Sequence, residues 1–290
     1  MERPRIAAII PTLNGNVEEL RQRLKAQTWP PDEIQVIRGV RPVGRARQLG
    51  VAATRSEVLL FIDDDARPGG VNLIEKLVQP LLFDSTIGVT GAARVLPLNA
   101  SWFQQRVATE IPRTVNHVPK VAEESNPPLS GYGHSLITTT CCAMRRAVYE
   151  EAGGFCEKLV SGEDTDLFYR VRRLGYRLIL VPDVWVEHPP PASLSALVRK
   201  FYWYGIGYGQ EARRWPERRL GPPLPTILHR LIFLMAATLW VVPNIFILYS
   251  YGYPYWKLGF RPLKALSTYA VAWGYVRGWG MKDTGRGEQK

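Results

Sequence analysis

Disulfide chemistry has almost no material in this 290-residue chain, which has 3 cysteines. Cys141 and Cys142 are adjacent and Cys156 stands alone, with no C-x-x-C spacing. Neither a disulfide framework nor a zinc site is indicated, and the usage fits a reducing compartment. The N-terminal MERPRIAAIIPTLN carries an apolar stretch too short for a signal peptide. A basic, glycine-rich phosphate loop is missing there too, since PTLNGN has no cation. That argues against a nucleotidyltransferase. No nucleic-acid motif accompanies the formal net charge of +11. With 46% hydrophobic and 22% charged residues, disorder is not indicated either.

The positive charge is unevenly placed. Residues 191–290 hold 14 Lys and Arg against 4 Asp and Glu, and the preceding two thirds are close to neutral. The same region carries the one long uncharged apolar run, 231–249 (LIFLMAATLWVVPNIFILY). Its length, its basic flanks (Arg218, Arg219 and Arg230 before, Lys257, Arg261 and Lys264 after) and its nearby aromatics (Tyr249, Tyr251, Tyr253, Tyr255, Trp256) mark a transmembrane candidate. The competing reading is a buried hydrophobic helix. Pro243-Asn244 inside the run could kink or break it. A second segment, 266–279, is short for a span and reads as an interfacial helix.

Earlier in the chain, short apolar runs at 6–10, 33–37, 58–62 and 88–93 alternate with helical spacing at 17–26, 44–53 and 73–82. Such alternation predicts an α/β fold with a mainly parallel sheet covered on both faces. Ligands of such sheets bind off the carboxyl ends of the strands. The third run ends there in LLFIDDDARP, placing Asp63, Asp64 and Asp65 at a strand end. Three acids before Arg67-Pro68-Gly69-Gly70 fit a solvated turn. They equally fit a divalent-cation site, because hard cations take carboxylate oxygens.

Two further groups bear on that choice. In 153–188 (GGFCEKLVSGEDTDLFYRVRRLGYRLILVPDVWVEH), Glu163, Asp164 and Asp166 open a helix with Leu167, Phe168, Val171 and Leu174 on one face. Acids in a first turn suit the helix dipole. They also follow a glycine-rich loop, where a carboxylate could act as a general base. His188 ends the apolar stretch 178–186, just before Pro189-Pro190-Pro191, where it suits either packing or metal ligation.

Taken together, IIPTLN (9–14), DDD (63–65), RRAVYEEAGGF (145–155), GEDTDLFYRVRRLGY (162–176) and His188 resemble glycosyltransferase family 2 over roughly residues 5–205. The resemblance implies a GT-A fold: a Rossmann-like half for a nucleotide-diphosphate sugar and a half for the acceptor. It implies that Pro11, Thr12 and Asn14 line the nucleotide pocket, with Arg45 and Gln48 on a helix beside it. It places Asp63 and Asp64 at the donor, Asp65 and His188 on Mn²⁺ or Mg²⁺, and Asp164 as catalytic base with Glu163 as its neighbour. Single displacement would invert the anomeric centre, and no protein nucleophile is needed. The acid that such chains carry after the second strand is replaced by Arg38-Gly39, which puts base recognition in question. Cys156 stands where the family's GGFDE pattern has Asp.

The expected organisation is a catalytic domain at 1–215 and, at 216–290, a Pro-rich linker followed by a membrane-associated helical region. The expected setting is the cytoplasmic face of the cell membrane, with a lipid-linked or polysaccharide acceptor and no nucleic-acid partner. A catalytically silent, membrane-bound module that binds nucleotide-sugar or glycan is the alternative. The segment 102–136, rich in Pro and Gly, reads as an irregular acceptor-side loop.

Overall fold

Runs of apolar residues with no polar face can become strands only if helices cover them on both sides, and that is their fate here. The computed structural model describes residues 3–13, 15–111, 114–126, 129, 135–218, 220–248 and 257–281. In chain order the elements are β1 (Ile6–Thr12), α1 (Glu18–Lys25), β2 (Glu33–Arg38), α2 (Val43–Ala52), β3 (Val58–Ile62), β4 (Arg67–Pro68), α3 (Leu73–Phe83), β5 (Ile87–Val95), α4 (Trp102–Glu110), β6 (Glu123–Glu124), β7 (Cys141–Arg145), α5 (Arg146–Glu151), α6 (Glu163–Arg173), β8 (Arg177–Glu187), α7 (Leu194–Arg214), a 3₁₀ turn (Pro216–Arg218), α8 (Ile227–Phe246), β9 (Ile247–Leu248), β10 (Lys257–Leu258) and α9 (Pro262–Gly280). They form two compact units.

The first unit, Met1–Leu98 with Val115–Pro189, is built on an eight-stranded sheet. Its order is β2-β1-β3-β7-β5-β8-β4, with β6 on β8. β1 pairs in parallel with both β2 and β3, and β5 with β8, whereas β7 runs antiparallel between β3 and β5. Alternation along each strand divides the core. Ile6, Ala8, Ile10, Val58, Leu60 and Ile62 pack with Leu20 and Leu24 of α1 and Leu77 of α3. Ile9, Leu59 and Phe61 pack on the other face with Val51 of α2, Tyr149 of α5 and Phe168 of α6. The predicted α/β architecture is therefore present, with the antiparallel β7 wedged into it. In contrast to the expected irregular loop, 102–110 is helical. Ser101 accepts from the Gln104 amide at 3.3 Å while Gln104 accepts from the Ser101 amide at 2.9 Å, a reciprocal cap that starts α4.

The second unit, Asn99–Thr114 with Pro190–Lys290, is helical. By contact, α7 groups with 99–114 and the C-terminal helices. The reason is backbone contact. α7 and α9 run side by side in the same direction, with Gly205 against Gly274 and Gly209 against Gly278. A Cβ on Gly274 would lie 2.0 Å from the Tyr202 carbonyl oxygen, and one on Gly278 2.0 Å from that of Ile206. Small residues at i and i+4 on both helices permit this approach. Residues 266–279 form the body of α9, packed on α7. Arg213 donates to the Trp279 and Met281 carbonyls at 2.9 and 2.6 Å, satisfying the end of α9. Arg218 is buried and pairs with buried Glu211 at 3.1 Å, so it is not one of the solvent-facing basic flanks. α8 continues through Pro243 to Phe246. It is long and apolar enough to cross a membrane and is almost wholly unburied. Tyr249 to Trp256 lie outside the described residues.

Candidate active site

Strand order makes a gap at one end of the sheet. From β1 the chain crosses to β2 on one side, then to β3 on the other, so the crossovers diverge between β1 and β3. Crevices at such a switch point are where open α/β sheets bind ligands. The β1–β3 ladder ends at Ile9–Phe61, and Pro11, two residues on, has no N–H with which to extend it. Pro11 and Thr12 are buried at this end of β1. The Thr12 hydroxyl accepts from the Gly15 amide at 3.0 Å, which turns the chain back toward α1. Asn14 lies outside the described residues. Arg38, exposed at the end of β2, lies over the same turn: a Cβ on Gly15 would sit 3.1 Å from its Nε.

The acid triplet leaves β3 opposite this turn. Asp63 donates its amide to the Thr140 carbonyl at 3.1 Å, and its own carbonyl accepts from Ala66 at 3.1 Å. The chain then folds into β4, where Arg67 and Pro68 pair with Glu187 and Val186 of β8. β8 is long because it makes a detour. Its first part pairs with β5 as far as Leu180, its register then shifts, and it rejoins β5 at Trp185. Asp183 in the detour has φ +52°, an αL conformation that Asp tolerates better than most residues. The ladder runs on to the His188 amide, bonded to the Val95 carbonyl at 3.1 Å. The β4–β8 pairing thereby draws His188 to the acids. Its Nε2 is 3.5 Å from Asp65 Oδ1, and ligand atoms of Asp63, Asp65 and His188 all lie within 4.8 Å of one another. Two carboxylates and one imidazole suit Mg²⁺ or Mn²⁺, with room left for water or phosphate oxygens. Asp64, between the two, is half-buried.

Behind the triplet lies a cation that the sequence reading overlooked. Arg47 of α2 is 3% exposed, donates through Nη2 to Asp63 Oδ1 at 2.7 Å, and donates through Nη1 to Glu163 Oε1 at the start of α6. Gly44, one turn earlier on α2, lets α6 approach, since a Cβ there would meet the Glu163 side chain at 3.1 Å. Gly44, Arg47 and Val51 share the buried face of α2. An arginine in register with that small, apolar face was the available signal. Burial opposes the charge of Arg47, but Asp63, Glu163 and Asp164 outweigh it and raise its pKa further. Burial also pushes the Glu163 carboxyl up to about 7, against the pull of Arg47 and with Asp164 adding to the rise. Asp164 is half-buried and accepts from the Thr165 amide at 2.8 Å.

Arg45 is exposed, its Nε 3.9 Å from Glu157. Gln48 accepts from the Tyr149 hydroxyl and, at 3.2 Å, from the Phe155 amide, which ties it to the glycine turn at 153–154. Arg170 anchors that turn from α6, bonding the Ala152 and Gly154 carbonyls and buried Asp166. Arg145 and Arg146 likewise serve backbone carbonyls at 81, 85, 54 and 56.

The sequence profile described as "Glycosyltransferase like family 2" matches residues 2–205. The chain belongs to that family. It is similar to the pre-mycofactocin glycosyltransferase of Mycobacterium tuberculosis (strain ATCC 25618 / H37Rv), 28% identical over 185 residues, which are 60% of this chain and 35% of that one. It also resembles the succinoglycan biosynthesis protein ExoA of Rhizobium meliloti (strain 1021), 29% identical over 97 residues, 33% of this chain and 27% of that one. The chain thus spans about a third of the length of the curated relatives it matches. Among solved structures it is similar to the mannosyltransferase PcManGT of Pyrobaculum calidifontis in complex with GDP-Man and Mn²⁺, with a TM-score of 0.57 and 17% identity, covering 98% of this chain and 89% of that one. This likeness shows a GT-A fold. In this family 2 glycosyltransferase, one buried guanidinium therefore joins the strand-end acids to the acids that open α6.

Proposed function

We propose that the chain is an inverting, metal-dependent glycosyltransferase that moves a sugar from a nucleotide-diphosphate donor to an acceptor hydroxyl. The observation that carries this reading is the Asp63–Asp65–His188 cluster at the switch point, tied through Arg47 to Glu163-Asp164. Asp65 and His188, with Asp63, would hold the divalent cation. When bound, it would supply Lewis-acid stabilisation to the departing diphosphate. Asp164 takes the acceptor proton as the acceptor oxygen bonds to the anomeric carbon and the bond to the diphosphate breaks. Glu163, held partly neutral by burial, limits the negative charge beside that base. Pro11, Thr12, Asp63 and Asp64 border the donor, and Arg38 replaces an acid that would meet the base. Arg45 and Gln48 lie on α2 beside it, with Gln48 acting through the 153–154 turn.

GDP-mannose with Mn²⁺, the pair bound by PcManGT, is the first donor and metal to try, followed by UDP-sugars and by Mg²⁺. The acceptor is lipid-linked or a growing polysaccharide, in keeping with the succinoglycan relative. α8, in the segment 216–290, anchors the chain at the cytoplasmic face, with basic residues toward the anionic leaflet.

The test is donor binding and turnover with Mn²⁺, with Mg²⁺ and with chelator, for the wild type, Asp65→Asn and Asp164→Asn. The expected result is metal-dependent binding that Asp65→Asn loses by at least about tenfold. Asp164→Asn should retain binding and lose about 10²- to 10⁴-fold in turnover. Were a folded wild-type protein to bind no nucleotide-sugar with either metal, the chain would be a silent module and the assignment would fall.

A further inference from the structure

Within the second unit, α7 and α9 touch through their glycines only in their C-terminal parts. Toward their N-termini the two helices are spaced by larger side chains, and an open groove of about 760 Å³ lies along them. Ligand clefts of small molecules fall in this range. Val198 and Tyr202 of α7 face Leu266 and Trp273 of α9 across it, and Ala270 is its one buried wall residue, forming the floor. Leu197 and Phe201, on the adjoining face of α7, pack with Val107 of α4, Ile111 and Ala270, and Val198 and Tyr202 pack against that cluster from the groove side. A single charged side chain, that of Arg199, lies on its wall and is exposed.

Three features of this unit select the occupant. The groove is apolar and elongated, as an alkyl or prenyl chain requires. Arg199 and the positive N-terminal ends of two helices running the same way favour an anion at its mouth. Finally, α8 in the same unit exposes Leu228, Leu231, Ile232, Met235, Leu239 and Trp240, an apolar face that belongs in lipid.

We propose that the groove between α7 and α9 binds the chain of a single-tailed, phosphate-bearing lipid, with Arg199 pairing with the phosphate. The inference deepens the glycosyltransferase reading by naming the carrier of the acceptor hydroxyl, a glycan linked to a phospho-prenyl or phospho-alkyl chain, and it rests on that reading for the lipid's role. Each methylene that enters the groove strengthens binding by up to about fourfold until the groove is full, after which further length adds nothing.

The full-length protein, in a sterol-based detergent without flexible tails, is titrated with farnesyl phosphate, farnesol, inorganic phosphate and dioleoylphosphatidylglycerol. Farnesyl phosphate is expected to bind, inorganic phosphate not to bind, and phosphatidylglycerol to compete poorly. Val198→Trp fills the groove and should abolish farnesyl phosphate binding. Ser195→Trp, at an exposed rim position, should weaken it without burdening the fold. Arg199→Gln should weaken farnesyl phosphate about tenfold and leave farnesol unchanged. Wild-type affinity in both tryptophan variants, equal competition by phosphatidylglycerol, or a dimer in light scattering that dissolves in the tryptophan variants would each overturn the proposal. Binding of GDP-mannose and UDP with Mn²⁺ is measured on the same samples. If nucleotide binds but farnesyl phosphate does not, the groove inference fails alone; if nucleotide fails as well, the glycosyltransferase reading fails with it.

Discussion

Replacing Arg47 by Met keeps the volume of the side chain and removes a buried positive charge held between two carboxylates. The cost follows from the two partners and depends on pH. At pH 5.5 Glu163, whose carboxyl is pushed up to about 7, is protonated in both proteins. The variant then loses the bond to ionised Asp63, which is 25% exposed, and a weaker one to the neutral Glu163 carboxyl, together about 2–4 kcal/mol. A folded-state pKa above the unfolded value means that Glu163 contributes stability below its unfolded pKa and loses it as pH rises toward 7. In the wild type this loss stops near pH 7, because Arg47 accommodates the ionised form. One pH unit further on, that accommodation is worth about 1.4 kcal/mol. Without Arg47 the carboxyl stays protonated above pH 7 and the loss continues. Destabilisation should therefore grow by about 1.4 kcal/mol between pH 5.5 and pH 8, toward the roughly 3–5 kcal/mol typical of a broken buried pair. At 2–4 °C per kcal/mol for a unit of this size, the Tm deficit should widen by about 3–6 °C. The assay is thermal unfolding of both proteins across this pH range. A deficit that is independent of pH, or below about 2 °C throughout, would refute the buried-triad reasoning.

Three further outcomes are expected. Burial raises the thiol pKa of Cys141 and Cys142 well above the ordinary cysteine value, whereas Cys156 is partly accessible, so iodoacetamide should label one thiol per folded chain and three after denaturation, as counted by mass spectrometry. Gly274→Ala puts a methyl group against the Tyr202 carbonyl oxygen and should destabilise the helical unit by about 1–3 kcal/mol, read as a lowered Tm; an unchanged Tm would mean that the α7–α9 contact is looser than described. The triple variant Leu231→Glu, Met235→Glu and Leu239→Glu changes only exposed or half-buried positions, yet costs about 2.5–3.5 kcal/mol per charge in a bilayer, so it should stay at the bottom of a liposome flotation gradient while the wild type floats.

Much of the first unit is legible from residues alone. The runs at 6–12 and 58–62 are apolar on both faces, and only a doubly covered sheet can bury such strands, whereas 33–38 (EIQVIR) alternates polar and apolar residues and lies half-buried at the sheet edge. Asp63 to Asp65 at the end of the third run then fall at a strand terminus by simple counting. α4 starts at a reciprocal Ser101/Gln104 cap, a local pattern that a reading of 102–136 as irregular passes over because prolines dominate the segment. Other features belong to three dimensions. His188 reaches Asp65 because a two-residue β4 pairs with a strand more than a hundred residues away, after a detour whose length no local periodicity reports. Arg47 looks like one more surface cation in a basic chain, and only the approach of α6 over Gly44 turns it into the link between Asp63 and Glu163. The glycines at 205, 209, 274 and 278 are spaced for close packing, but which helix meets which depends on the path of the chain through 215–261. Local sequence sets what each segment can bury and which charges it carries. The meeting of charges from distant segments depends on pairing registers and helix approach, which the whole core decides together.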